Sequence, residues 1–233
     1  MKRILLSAAL AAATVLPGAA FPEVNAGAYL AAQSAASRND FDEAAYWYIV
    51  ALGSDPGNPA LVENALASMI AAGDAIGAVS VAQGAEASGL QSHVVSLLLD
   101  ADAARRGDWD ALLEAHEAGR SVSPLVDGIT RGWAHLGRGD VDGALSAFDE
   151  VSETPWMSSF GLYHKAFALA TVGDFESAMA ILSASPPDGP MVTRRGSIAL
   201  AQAMSQLGQN AQAAQMVTDL FGPDPDIALT QLR

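Results

Sequence analysis

The chain has 233 residues, with 26 acidic against 12 basic side chains and a formal net charge of −14 at pH 7. A protein gains affinity for nucleic acid through many Lys and Arg contacts, so this composition argues against a nucleic-acid partner. Cysteine is absent, and we therefore expect no disulfide, no cysteine-ligated metal and no lipid attached to an N-terminal cysteine. The acidic surface also has a simpler interpretation, which is solubility.

The first 20 residues have the pattern of an export signal. Lys2 and Arg3 are followed by thirteen small or apolar residues, 4–16, and then by Pro17 and the small residues Gly18, Ala19 and Ala20. Thirteen residues are fewer than the roughly 20 that a membrane-spanning helix needs. The sequence thus predicts a signal peptide over 1–20, cleaved near Ala20. It predicts a periplasmic protein with no stable membrane anchor after cleavage.

Residues 21–233 contain an internal repeat. A short turn motif, mostly Gly-Asp followed by an apolar residue, recurs at intervals of 34, 34, 32, 34 and 35 residues. Glycine tolerates the left-handed backbone that ends one helix, and aspartate caps the next. The six copies start at Asn39, Gly73, Gly107, Gly139, Gly173 and Gly208.

Two further sequence features, a small residue and a proline, recur with this period. A small residue follows four positions after the aspartate in most copies, which would let two helices approach closely, and a proline follows about twelve residues later. Apolar residues between these features have helical spacing, and no segment alternates as a strand does. The sequence therefore predicts an all-α chain of helix-turn-helix units. The small residues are Ala44, Ala78, Ala144, Ala178 and Ala213, with Leu112 in the third copy.

The segment NDFDEAAYWYIVALGSDP, residues 39–56, resembles the tetratricopeptide repeat (TPR), a 34-residue helix-turn-helix unit. The resemblance covers 25–233. It implies a right-handed α-solenoid of about six TPR-like units, near 25–58, 59–92, 93–124, 125–158, 159–193 and 194–227, followed by the start of a further helix.

The resemblance also implies a function. The first helix of each TPR unit lines a concave surface that receives a protein or peptide partner, so we expect a non-enzymatic scaffold or adaptor for another envelope protein. An alternative is that Trp133 and Phe167 only fill the seam between units. The residues expected on or near the concave surface are Tyr29, Asn64, Arg105, Trp133, Tyr163, His164, Phe167, Arg195 and Gln202.

The residues that could do chemistry are scattered. The four histidines fall on four different predicted helices, and no His-Glu-x-x-His pair, phosphate loop or nucleophile elbow is present. Tyr163, His164 and Lys165 are adjacent, but neighbours on a helix point about 100° apart and cannot converge on one atom. We therefore expect no catalytic residue, no metal and no cofactor. Two alternatives stay open: a module of a larger envelope assembly, or a helical ligand carrier or hydrolase.

The predicted array stops shortly after Pro225. Residues 226–233 begin what looks like a new helix with apolar positions at Ile227, Leu229 and Leu232. Eight residues form only a marginal helix, and each unit of a solenoid buries its apolar face against the next. We therefore expect self-association, a partner or further repeats to cover this end.

Overall fold

The computed structural model describes residues 25–186, 189–191 and 193–222, and it describes Phe221 by its backbone alone. Within these ranges the chain is α-helical and contains no strand. The expected signal peptide, the cleavage site at Ala20 and the expected helix start at 226–233 lie outside the described residues. The helices are α1 (Ala26–Ser37), α2 (Phe41–Leu52), α3 (Pro59–Ala71), α4 (Ala75–Ala87), α5 (His93–Arg106), α6 (Trp109–Glu117), α7 (Pro124–Gly137), α8 (Val141–Ser152), α9 (Ser158–Thr171), α10 (Phe175–Ser183), α11 (Arg194–Gln206) and α12 (Asn210–Phe221).

The repeated turn has the predicted geometry, as its fifth copy shows. Gly173 has a φ of +90°, a conformation that glycine adopts without strain. The amide of Asp174 donates to the carbonyl of Leu169 at 2.9 Å, which closes α9 in a Schellman motif. The carboxylate of Asp174 then accepts from the amide of Ser177 at 3.1 Å and caps α10. The equivalent residues of the other copies, Asn39, Gly73, Gly107, Gly139 and Gly208, also have positive φ.

Two details of the turns differ from the sequence pattern. Asp40 caps α2 through the amide of Glu43, but the Glu43 carboxylate accepts from the indole of Trp47 at 2.6 Å instead of completing a reciprocal capping box. In the degenerate sixth copy, Gln209 makes no side-chain cap. Pro124, which follows a unit in the sequence pattern, is the first residue of α7, where its missing N–H costs nothing.

The chain divides into two compact units between Ala72 and Gly73. In the first unit α2 packs against both α1 and α3. Its core is rich in alanine because these helices lie close together, and Tyr48 is the largest buried side chain in it. Around Tyr48 lie Ala28, Ala32, Ala35, Ala44, Ala51, Leu61 and Ala65.

In the second unit each helix from α4 to α12 packs against the next one in sequence. In addition, α9 contacts both α7 and α11, so these three helices lie side by side on one surface. The small residues of the repeat are fully buried between neighbouring helices, as Ala144 and Ala178 illustrate. The frame of the second unit is thus a row of close helix pairs with α7, α9 and α11 adjacent.

Candidate functional site

Three of the side chains predicted for the partner surface, Tyr163, His164 and Phe167, lie on α9, and Phe160 of the same helix, which was not predicted, lies in line with them. Phe160, Tyr163, His164 and Phe167 follow the i, i+3, i+4, i+7 spacing of one helix face, and this set is called the aromatic face below. The rings of Tyr163 and Phe167 are in contact, with centroids 4.6 Å apart. Tyr163 and Phe167 are half-buried and Phe160 is exposed, so a row of rings remains open to a partner.

His164 fastens α9 to α7. The indole N–H of Trp133 donates to Nδ1 of His164 at 2.9 Å, so Nδ1 is the acceptor and the imidazole is neutral. Trp133 also meets the ring of Phe148 from α8 edge-on, and the Phe148 and His164 rings are stacked. Burial lowers the pKa of His164 below its usual value. These three rings, Trp133, Phe148 and His164, are called the α7–α9 joint.

The joint depends on a close approach between α7 and α8. A β-carbon at Gly132 would overlap the ring of Phe148, which is completely buried. Phe148 can therefore lie flat against the α7 backbone and reach both Trp133 and His164. Sequence reasoning did not single out Phe148 or Gly132, although together they decide where Trp133 sits.

Lys165 points away from Tyr163 and His164, whose rings meet edge-on with centroids 5.5 Å apart. Tyr163 lies against Gly196 of α11, where a β-carbon would be 3.3 Å from its ring. Lys165 pairs with Asp149 of α8 at 2.6 Å. Since His164 faces α7, three consecutive residues contact three different helices.

The other predicted partner residues occupy separate positions. Arg195 is exposed on the first turn of α11, next to Gly196, and makes no ion pair with a described residue; Gln202 is exposed two turns further along the same helix. At the end of α5, Arg105 is exposed and pairs with Asp102 at 2.8 Å. In the first unit, Tyr29 contacts the ring of Tyr48, and Asn64 is half-buried on α3.

A cluster of polar side chains elsewhere in the second unit was not expected from the sequence. Asp100 of α5 is only 4% exposed and contacts Nε2 of His116 at 2.8 Å. Arg120 donates to Asp100 at 3.3 Å and to both carboxylate oxygens of Glu86 at 2.8 and 2.9 Å. We call these four residues the polar network. A charged residue within the apolar run VVSLLLDADAA, residues 94–104, was the signal that could have revealed it.

The polar network borders an open cleft of about 660 Å³ between the α4–α5 and α6–α7 turns. Its wall contains Glu86 and Arg120, together with the polar side chains of Gln91, Ser92 and His93. Arg120 already faces two carboxylates, so its charge is compensated within the protein. The cleft is therefore a weaker candidate for anion binding than its arginine suggests.

Two absences concern the described residues only. Within 25–186, 189–191 and 193–222, no three metal-ligating side chains come together. Over the same ranges, no helix is long and apolar enough to span a bilayer.

The fold is similar to two solved structures. One is a tetratricopeptide repeat protein from Parabacteroides merdae ATCC 43184, with a TM-score of 0.67 and 17% sequence identity over 89% of this chain and 83% of that one. The other is the APC/C hetero-tetramer Cut9–Hcn1, with a TM-score of 0.55 and 15% identity over 89% of this chain and 45% of that one. No family model and no curated protein matches the sequence. The predicted fold class is confirmed: the chain has the all-α helical-repeat fold of tetratricopeptide-repeat proteins.

Proposed function

We propose that the protein is an exported, non-enzymatic scaffold that binds a segment of another envelope protein on the surface formed by α7, α9 and α11. The observation that carries the proposal is the aromatic face of α9, which presents a row of partly open rings beside the exposed Arg195. Aromatic and arginine side chains contribute most of the binding energy at protein interfaces. In the TPR arrangement this surface is the one that receives partners.

The aromatic face is also held in place before any partner arrives. The hydrogen bond from Trp133 fixes His164, and the contact with Phe167 restrains the ring of Tyr163. A side chain that is already ordered loses little entropy on binding. The hydroxyl of Tyr163 makes no hydrogen bond with a described residue, so it remains available to a partner.

The cleft beside the polar network is the basis for the alternative, a ligand carrier. We favour the aromatic face because the charged groups of the cleft already satisfy one another. The surface of α7, α9 and α11, in contrast, combines the exposed Arg195 with the rings of Phe160, Tyr163 and Phe167, which are only partly buried.

The test is capture of a partner from an envelope extract with the chain carrying Tyr163→Ala and Arg195→Ala. A matched control carries Tyr46→Ala and Arg38→Ala, an exposed aromatic and an exposed arginine of the first unit. We expect one recurrent partner to be captured by the wild type and the control and lost by the first variant, with circular dichroism unchanged in all three. Equal capture by both double variants would exclude the aromatic face.

Export is tested separately. If the expected signal peptide is cleaved near Ala20, the intact mass of the periplasmic protein corresponds to a chain that begins at or near Phe21. Full-length protein that starts at Met1 in the cytoplasm would refute export without affecting the binding proposal.

A further inference from the structure

Three large apolar side chains protrude from one edge of the second unit. Trp156 is 67% exposed, Phe160 is 50% exposed and Met191 is 65% exposed. Single exposed apolar residues are common on soluble proteins, but several together mark an interaction site. These three residues are called the apolar edge.

The apolar edge is one surface because the two segments that form it are tied together. The backbone amide of Met191 donates to Oγ of Ser159 at 2.6 Å, which joins the segment before α11 to the first turn of α9. Phe160 belongs to both the apolar edge and the aromatic face. The exposed apolar surface therefore continues from Trp156 along α9 towards Tyr163.

Charged residues are distributed unevenly among the helices. The even-numbered helices contain acidic residues and neither Lys nor Arg. By contrast, α9 and α11 contain Lys165, Arg194 and Arg195 and no acidic residue. In a chain with a net charge of −14, the charged residues of α9 and α11 are thus all basic, and the apolar edge lies beside these two helices.

The immediate surroundings keep this sign. The sequence segments 153–171 and 188–206 contain three basic residues and two acidic residues, Glu153 and Asp188. Lys165 forms an ion pair with Asp149, whereas Arg195 is exposed and has no ion pair with a described residue. Arg195 is therefore the cation best placed to meet an incoming carboxylate.

We infer that the apolar edge and the aromatic face together bind an acidic amphipathic segment of the partner protein. Apolar side chains of that segment cover Trp156, Phe160 and Met191, and a carboxylate pairs with Arg195. This inference rests on the proposed function and specifies the chemistry of the partner. It predicts selectivity by charge, because a basic segment would meet Arg195 with like charge and lose the pairing.

The experiment selects binders to the whole chain from a random 16-residue peptide display library. Recovered peptides are then measured against the wild type, Trp156→Ala/Phe160→Ala, Arg195→Glu, and the control Arg38→Glu. We expect recovered peptides to be enriched in Asp and Glu beside apolar residues. The apolar-edge variant and Arg195→Glu should each bind them about tenfold more weakly, whereas Arg38→Glu should not. Added salt should weaken the wild-type complex, since exposed charge pairs are screened.

The alternative outcomes separate the inference from the proposed function. Peptides that depend on Tyr163 but show no acidic enrichment would overturn the inference and leave the scaffold function standing. Recovery of no peptide that depends on either surface would count against both. Binding of phosphatidylglycerol vesicles that is lost in Trp156→Ala/Phe160→Ala, without acidic peptides, would assign the edge to a membrane surface and overturn the inference.

Discussion

The stretches α4–α6 and α7–α9 are built on the same repeat but are held together by different chemistry. The first contains the polar network, in which buried Asp100 is compensated by His116 and Arg120. The second contains the α7–α9 joint, in which rings from three helices stack around a single hydrogen bond. The repeat therefore determines where helices begin and end. A few other residues determine which contacts hold the helices together.

The difference also separates stability from binding. The charged groups of the polar network pair with one another, so few remain for a ligand. The α7–α9 joint orders His164 and thereby the helix that carries Tyr163 and Phe167, which stay partly exposed. The rings of the α7–α9 joint are neutral. They hold α9 in place without pairing with the charged side chains that a binding surface would need.

Removal of the central carboxylate from the polar network should have the largest effect. Asp100→Ala leaves the buried His116 without its hydrogen-bond partner and Arg120 with Glu86 alone, and we expect a loss of about 3 kcal/mol in the free energy of unfolding, because a buried polar group is left unsatisfied. The measurement is urea denaturation followed by circular dichroism. In α7–α9 the matched change is Asp149→Ala, whose ion pair with Lys165 is more exposed, with an expected cost below about 1 kcal/mol. Equal costs would show that burial does not distinguish the two regions.

A glycine-to-alanine substitution should change the free energy of unfolding in opposite directions in the two regions. Gly132→Ala places a methyl group against the buried ring of Phe148 and should destabilise the chain by about 1–3 kcal/mol. Gly84 of α4 is exposed, and an added β-carbon would meet nothing within 4 Å. Gly84→Ala should therefore stabilise by about 0.5–1 kcal/mol through helix propensity alone. Thermal or urea unfolding of the two variants decides whether α7 and α8 are as closely packed as described.

The helix caps allow a finer comparison. Asp140 caps α8 through the amide of Gly143 and also accepts from His135 and Arg138, and these bonds lower its pKa. Asp74 caps α4 through Gly77. We expect Asp140→Ala to lower the free energy of unfolding more than Asp74→Ala does in urea unfolding, since a cap with additional partners loses more. A larger cost at Asp74 would contradict this order.

The smallest expected effect is a pH dependence in the α7–α9 joint. Burial lowers the pKa of His164, so the folded chain binds this proton less readily than the unfolded chain does. Its contribution to stability is full above the unfolded pKa of about 6.5 and decreases as the pH falls from there towards the lower folded value. Protonation would also place an N–H on Nδ1, opposite the indole N–H of Trp133.

Urea unfolding of the wild type and His164→Phe at pH 7.5, 6.5 and 5.5 measures this contribution. The nearby ion pairs Lys165–Asp149 and Arg131–Glu150 are present in both proteins and cancel in the difference. The wild type should lose more stability than the variant as the pH falls. A constant difference across the three pH values would show that His164 does not titrate as its environment implies.

The turns and caps could be predicted from the sequence because their chemistry is local. Gly173 and Asp174 act on residues within five positions, and the same letters recur in each copy. Ala178 was placed at a helix contact by period alone, and it is fully buried. Phe160 lies at helical spacing from Tyr163 and Phe167 and could have been included by the same reasoning.

The partners within the polar network and the α7–α9 joint could not be predicted because they depend on side-chain directions in three dimensions, although the charged Asp100 in an apolar run indicated that some partner was needed. Trp133 and His164 are 31 residues apart, and their hydrogen bond requires Phe148 to fit against the backbone of Gly132. No repeat position encodes that requirement. The adjacency of α7, α9 and α11 follows from the fold, but the exposed edge at Trp156 and Met191 lies in turns whose conformation the repeat does not determine.

The short sequence separation of the side-chain contacts has a consequence for how the chain folds. Side-chain hydrogen bonds between described residues join segments close in sequence, as between Arg120 and Glu86, 34 positions apart. Contacts of such short sequence separation require little loop closure, so the search for them is fast. Neighbouring helices can therefore associate while later ones are still being synthesised, and each newly added pair packs against helices that are already folded.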